Sequence, residues 1–200
     1  MIRILCVDVT DADEGVYERL YANASSERKR RADRYLRRED KLRCVIADAL
    51  LRAALGTGDF LTEKDDGGKP YVKGHENFHY NLSHSGRYVV IAWGDVPVGV
   101  DVQKHENTLD RRAVAEQSFA PDERIYAGES AERFFEVWTG KESYLKYTGE
   151  GLRRDMRSFS MFRTEPPVRL LSCLPHGGYS LCLCAADREY TFELSDVRQL

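Results

Sequence analysis

The sequence predicts an α+β protein built in two halves, and three observations carry that expectation. Two long segments keep helical hydrophobic spacing: Leu42, Val45, Ile46, Ala49, Leu50, Ala53 and Ala54 in one, and Phe134, Val137, Trp138, Tyr144, Leu145 and Thr148 in the other. This is the i, i+3, i+4, i+7 pattern of a helix packed on a core. Each long segment is followed by short runs that read as strands. Between them, Gly94-Asp95-Val96-Pro97 breaks the pattern and marks a boundary, giving expected subdomains of residues 1–97 and 98–200.

Ile2, Leu5, Val7 and Val9 open a strand. Charge density then rises: Ser25 to Arg43 holds nine basic residues against four acidic ones. Ser25 and Ser26 are N-cap candidates, Glu27 sits in the first turn and no Pro or Gly occurs before Gly56, so the stretch reads as helix. Arg31, Arg34, Tyr35 and Arg38 then share a face. A loop rich in Gly, Asp and Lys runs from Gly56 to Lys69. Phe78 to Leu82 and Arg87 to Trp93 read as strands around a turn at Ser83-His84-Ser85-Gly86, the second buried on both faces. Val98, Val100 and Val102 alternate with Gly99, Asp101 and Gln103, so Asp101 and Gln103 share one strand face. Helices are expected at Leu109 to Ser118, Pro121 to Ala127 and Ala131 to Tyr147. Strands are expected at Ser158 to Arg163, Val168 to Leu174, Tyr179 to Ala185 and Tyr190 to Leu194.

Composition narrows the function classes. In 200 residues, 42% hydrophobic against 32% charged is globular and excludes a disordered or fibrous chain. Thirty Lys and Arg against 33 Asp and Glu give a net charge of -3, so any contact with a polyanion is local. Five cysteines, an odd number without close CxxC pairs, suit reduced thiols and a cytoplasmic location. No stretch approaches the roughly 18 apolar residues of a membrane span, so no membrane partner is expected.

The chemistry concentrates in a few places. Lys141 falls inside the apolar arc of its helix and needs an anionic partner, while Glu142 and Lys146 flank the arc, so the three can converge on one cleft edge. The plainer reading is a Glu142 to Lys146 surface pair worth ~0.3–0.5 kcal/mol. Asp101 either faces water or joins Glu142 as a carboxylate pair for Mg²⁺, which completes its shell with water and substrate phosphates. Ser83-His84-Ser85-Gly86 lacks the G-x-S-x-G of a hydrolase and suits a phosphate cradle better. His75 and His79 flank a strand start and Cys182 and Cys184 alternate within an apolar strand, so zinc is not expected. The basic helix is a solvated face, a nucleic-acid patch or a site for a phosphorylated nucleotide end, and the acidic remainder favours the small polyanion.

Together these motifs resemble the 4′-phosphopantetheinyl transferases of the larger, pseudo-dimeric, surfactin-synthetase-activating type. The resemblance runs from about Ser25 to Phe159. The segment Ser26-Glu27-Arg28-Lys29-Arg30-Arg31 through Arg38-Glu39-Asp40-Lys41-Leu42-Arg43 is similar to the basic coenzyme A segment. Gly68-Lys69-Pro70 precedes Phe78-His79-Tyr80-Asn81-Leu82-Ser83-His84-Ser85, which resembles the family's strand and phosphate-binding turn. Val98-Gly99-Val100-Asp101-Val102-Gln103-Lys104 resembles the metal strand, Trp138-Thr139-Gly140-Lys141-Glu142-Ser143-Tyr144-Leu145-Lys146 matches W-x-x-K-E-x-x-x-K, and Gly149-Glu150-Gly151-Leu152 follows.

The resemblance implies two similar α+β subdomains about a pseudo-twofold, acting as a monomer. It implies transfer of phosphopantetheine from coenzyme A to an apo acyl or peptidyl carrier protein, as in a holo-acyl-carrier-protein synthase, with release of 3′,5′-ADP and use of Mg²⁺ or Mn²⁺. Arg28, Arg31 and Arg43 would hold the nucleotide end with Lys69, Ser83 and His84. Asp101, Gln103 and Glu142 would hold the metal, Glu142 would act as base, and Lys146 with Lys141 would offset phosphate charge. The family often has Asp-x-Glu where this chain has Asp101-Val102-Gln103. One charge fewer about 4 Å from a cation removes roughly 4 kcal/mol of gross attraction at an effective dielectric of 20, which implies weaker metal binding. Two alternatives follow: a catalytically impaired coenzyme A-binding scaffold, or a nucleic-acid-binding module using the arginine-rich helix.

Overall fold

The computed structural model describes residues 1–58, 60–186 and 189–200, with the side chain of Leu152 also outside the described residues. Strand β1 (Ile2–Asp8) leads into α1 (Glu14–Asn23), α2 (Ser26–Asp33) and α3 (Arg38–Leu55), then the hairpin β2 (Thr62–Lys64) and β3 (Pro70–Val72), then β4 (His79–Ser85) and β5 (Tyr88–Gly94). The second half opens with β6 (Val98–Lys104), α4 (Arg111–Ser118), α5 (Pro121–Ala127) and α6 (Ala131–Thr148), and ends with β7 (Val168–Leu170), β8 (Tyr179–Ala185) and β9 (Tyr190–Asp196).

The halves repeat one topology. In the first, β1 pairs antiparallel with β5, and β5 with β4; in the second, β6 pairs antiparallel with β8, and β8 with β7. Helices α3 and α6 are each 18 residues long, and each stops at a glycine in the left-handed region, Gly56 at φ 71° and Gly149 at φ 74°, where a side chain would be strained. Strand β9 returns to the first sheet, parallel to β1, so the sheet orders are β4-β5-β1-β9 and β6-β8-β7.

The sheets pack face to face. Ile2, Ile4, Cys6, Tyr88, Val90 and Ala92 meet Val98, Val100, Val102, Leu181, Leu183 and Ala185 in one apolar layer. The opposite parity of β1 and β5, Val7, Val89 and Ile91, packs with Val45, Ile46 and Leu50 of α3. That is why β5 is apolar on both parities, as the sequence implies.

Four local readings are corrected. The basic segment is two helices, with a break from 34 to 37. Helices this short hold by burying a face, and around the break only Ala32 is buried while Leu36 is fully exposed. Helix α1 was not expected; Asp13 caps it and Val16 and Leu20 bury it. Ser83 to Ser85 lie within β4, and the turn is at Gly86, φ 54°. Ser158 to Arg163 forms two short 3-10 turns rather than a strand. Its backbone is captured by side chains from α5 and α6: Met161 N–H donates to Glu123 and the Phe159 carbonyl accepts from Lys141, both at 2.6 Å.

Candidate active site at the seam between the halves

Strands β4 and β6 meet without forming a ladder. The side chains of Asn81, Ser83 and Ser85, on one face of β4, accept the N–H groups of Val100, Val102 and Lys104 at 3.0, 3.2 and 2.9 Å. Strand β6 lies equally close to α6. A Cβ at Gly99 would fall against the Ser143 carbonyl and within 2.9 Å of the Tyr147 Cα, so only glycine admits this approach. Two residues along the same face, Asp101 is brought beside α6 and buried.

Lys146 turns to Asp101 rather than to Glu142. Its ammonium donates to Asp101 Oδ1 at 2.6 Å, to Ser83 Oγ at 3.0 Å and to the Val100 carbonyl at 3.3 Å, while Ser83 donates to Asp101 Oδ1 at 2.6 Å. Glu142, half-buried one turn earlier, has no hydrogen-bond partner among the described residues. Burial pushes its carboxyl up, the Asp101 charge pushes it further, and Lys146 offsets part of this. A cleft of about 310 Å³ opens beside it, lined by Glu142, Lys146, Lys69, Pro70 and several glycines. At its edge Gly67 packs against the Gly149 carbonyl.

The other expected residues divide. Arg43 donates to the Gly86 carbonyl at 3.0 Å and pairs with Asp40 at 3.2 Å. His84 stands exposed nearby, its pKa held down by partial desolvation and by the charges of Arg43 and Lys146. Arg31 is exposed. Arg28 leans on the buried Asp48 at 3.5 Å. The Lys69 ammonium bridges the halves, donating to the carbonyls of Tyr147 at 2.8 Å and Val98 at 3.1 Å, and burial brings its pKa down to about 8. Gln103 donates to the Lys104 carbonyl at 3.0 Å. It lines an apolar pocket of about 220 Å³ with Leu109, Val114, Phe135 and Trp138.

Two family models match the chain: "4′-phosphopantetheinyl transferase, N-terminal" over residues 13–95 and "4′-phosphopantetheinyl transferase superfamily" over residues 97–194. A 4′-phosphopantetheinyl transferase of Bacillus subtilis is 29% identical over 201 residues, 88% of each chain. The 4′-phosphopantetheinyl transferase gsp of Aneurinibacillus migulanus is 34% identical over 171 residues, covering 80% of this chain and 70% of the other. The chain belongs to the 4′-phosphopantetheinyl transferase superfamily. Its repeated topology is the two-subdomain arrangement that membership implies.

Within that family frame, Lys141 of the W-x-x-K-E-x-x-x-K motif is sealed in and does not reach the cleft. It is 0% exposed, paired at 2.6 Å with the equally buried Glu123, and its ammonium stands 4.1 Å over the Phe159 ring. Its helix face points away from Glu142 because the two residues are adjacent, about 100° apart on the wheel. The sequence reading asked for an anion near Lys141 without finding Glu123, whose place three residues after Ala120 at a helix start was the available signal. Asn81 and Gly99, which build the seam, were read only as strand residues.

Among the described residues, no cluster of three or more His, Cys, Asp or Glu is set to hold a metal. Asp101 and Glu142 supply hard carboxylate oxygens of the kind magnesium takes, while the Gln103 side chain is turned to the Lys104 carbonyl and lines a separate pocket. Burial first and the Asp101 charge second raise the Glu142 carboxyl, and Lys146 offsets only part of this, so a cation placed beside it would be favoured. The residues fit the group.

Proposed function

We propose that the chain transfers the 4′-phosphopantetheine group from coenzyme A to a serine hydroxyl of an apo acyl or peptidyl carrier protein, releasing 3′,5′-ADP. The observation that carries this reading is the seam itself. Asp101 of β6 bonds Lys146 of α6 beside a cleft that Glu142 and Lys146 line between the two subdomains, an arrangement for holding a pyrophosphate and a hydroxyl together.

Asp101, Glu142 and Gln103 would hold Mg²⁺, which when bound neutralises charge on the pyrophosphate. Glu142, its side chain without a hydrogen bond among the described residues, accepts the proton of the carrier serine at its carboxylate. Lys146 Nζ, fixed by three acceptors, presents its charge to the departing phosphate. Arg43 and the neighbouring His84 take the 3′-phosphate end, together with Arg28 and Arg31. On this reading residues 1–97 bind the nucleotide, and 98–200 hold the metal and receive the carrier. The carrier approaches over the half-buried Gln103 and Trp138, beside the pocket they line. One chain supplies both halves, so the protein works as a monomer. Among the described residues no helix is long and apolar enough to cross a membrane, in keeping with a cytoplasmic enzyme.

The reading is tested by intact mass spectrometry of apo carrier proteins after incubation with the protein, coenzyme A and Mg²⁺. A gain of one phosphopantetheine, lost with Glu142→Gln, is expected. No gain on any acyl or peptidyl carrier, with coenzyme A still bound, would leave the impaired scaffold. Gln103 is the residue that favours that alternative.

A further inference from the structure

We propose that Tyr179 is a positioning residue for the nucleotide end: its hydroxyl fixes one peptide group of the first half, and that peptide fixes the Arg43 guanidinium. What the guanidinium then does rests on the transferase reading above. The peptide is the one that joins Gly86 to Arg87. Its carbonyl accepts from Arg43 Nη2 at 3.0 Å, and its N–H donates to the Tyr179 hydroxyl at 3.1 Å. A peptide group is planar, so its C=O cannot turn without carrying the N–H with it. The hydroxyl and the guanidinium therefore grip one plane from its two edges.

Each part of this link has little else to rely on. Gly86 turns at φ 54°, and with no side chain of its own it leaves the peptide free to rotate unless something outside holds it. A Cβ there would collide with the Tyr179 hydroxyl, so the tyrosine presses directly on the bend. In Arg43, Nη1 donates to Asp40 of the same helix at 3.2 Å, and the buried Nε has no hydrogen-bond partner among the described residues. The bond to the Gly86 carbonyl is thus the one that ties the guanidinium to the turn. Tyr179 opens β8 in the second half, and its ring stands edge-on to Tyr88 with centroids 4.9 Å apart. Ring packing places the hydroxyl, and through it the second half sets the arginine of the first.

Tyr179→Phe removes the hydroxyl and keeps the ring. Measured by titration calorimetry, coenzyme A should bind the variant roughly fivefold more weakly, while 3′-dephospho-coenzyme A, which lacks the phosphate assigned to Arg43, should stay within about twofold of wild type. On an apo carrier at saturating coenzyme A, kcat should stay within about threefold, which a general loosening of the fold would not leave intact. In an Arg43→Ala background the same substitution should cost less than about twofold, because residues that act through one another do not add.

A second readout needs no nucleotide. Phenylglyoxal should modify Arg43 roughly threefold faster in Tyr179→Phe than in wild type, because a guanidinium released from the Gly86 carbonyl spends more time open to reagent. Arg112, its side chain 91% exposed, serves as the internal reference. Unchanged Arg43 labelling overturns the proposal, and so does an affinity loss that persists in full in the Arg43→Ala background. Faster labelling in a protein that binds the two coenzymes alike, or binds neither, upholds the positioning role, and it is then the placing of Arg43 at the 3′-phosphate that fails.

Discussion

Glu142 and Gln103 are where single side chains decide the chemistry. Glu142 is a carboxylate without a hydrogen-bond partner among the described residues, in a buried place beside a second carboxylate. Such a group is costly to the fold and useful to a reaction. Glu142→Gln should lower the transfer rate at least ~100-fold, the usual scale for a lost general base, while the melting temperature stays level or rises because like-charge repulsion is relieved. A clear fall in melting temperature would make Glu142 a structural residue. Gln103→Glu should lower the Mg²⁺ concentration that gives half-maximal rate, since it restores a third negative ligand. An unchanged Mg²⁺ dependence would remove position 103 from the ligand set.

Helix α6 is held from two sides by unlike means. Toward β6 it depends on the absence of a side chain at Gly99, where the added atom would meet backbone that cannot rotate away. Gly99→Ala should therefore cost about 3 kcal/mol or more, read as a lowered urea midpoint. Toward α5 it depends on the buried Lys141–Glu123 pair. Glu123 also accepts the Ala120 N–H at 2.7 Å and the Met161 N–H at 2.6 Å, so one carboxylate ties the start of α5, the middle of α6 and the segment after it. Lys141→Ala leaves that charge buried and unpaired and should destabilise by about 3–5 kcal/mol. Coenzyme A affinity of the folded fraction should hardly change, which distinguishes this anchoring role from the phosphate contact expected from the motif.

The molecule closes its two larger sheets over one apolar layer, and a charged pair at the rim of that layer links its stability to pH. Asp8 at the end of β1 takes a bidentate pair from Arg87 just before β5, Nε at 3.1 Å from Oδ1 and Nη2 at 2.6 Å from Oδ2, and the Arg87 backbone N–H reaches the Tyr179 hydroxyl of the second half at 3.1 Å. Burial alone would raise the Asp8 carboxyl, but the hydrogen bonds from Arg87 and Thr10 outweigh it and hold the pKa below the ordinary value. A depressed carboxyl pKa stabilises the folded state above the unfolded value near 4, and that contribution fades as pH falls through the lower folded value. Asp8→Asn should reduce stability at neutral pH and flatten the acid limb of a stability–pH curve. An acid limb identical to wild type would place the sensitivity elsewhere.

The sequence by itself determined the α+β class, the two long helices, the sharing of one face by Asp101 and Gln103, and the family. These depend on short-range periodicity and on residue types at fixed spacing, which the chain carries locally. Tertiary structure alone decided which charges meet. The Glu142 to Lys146 spacing suited a surface pair, yet Lys146 took Asp101, 45 residues away, because the close pass of α6 over Gly99 puts that carboxylate nearer. Lys141 and Glu142 are adjacent in the chain, but one closes a buried ion pair and the other faces the cleft. Ser83 looked like a turn residue, yet the fold sets it within β4 with its hydroxyl bonded to Asp101 and the Val102 N–H of the other half. The cause is common to all three: a side chain's partner is set by what the fold brings within about 3 Å, and sequence spacing fixes only the face from which it reaches.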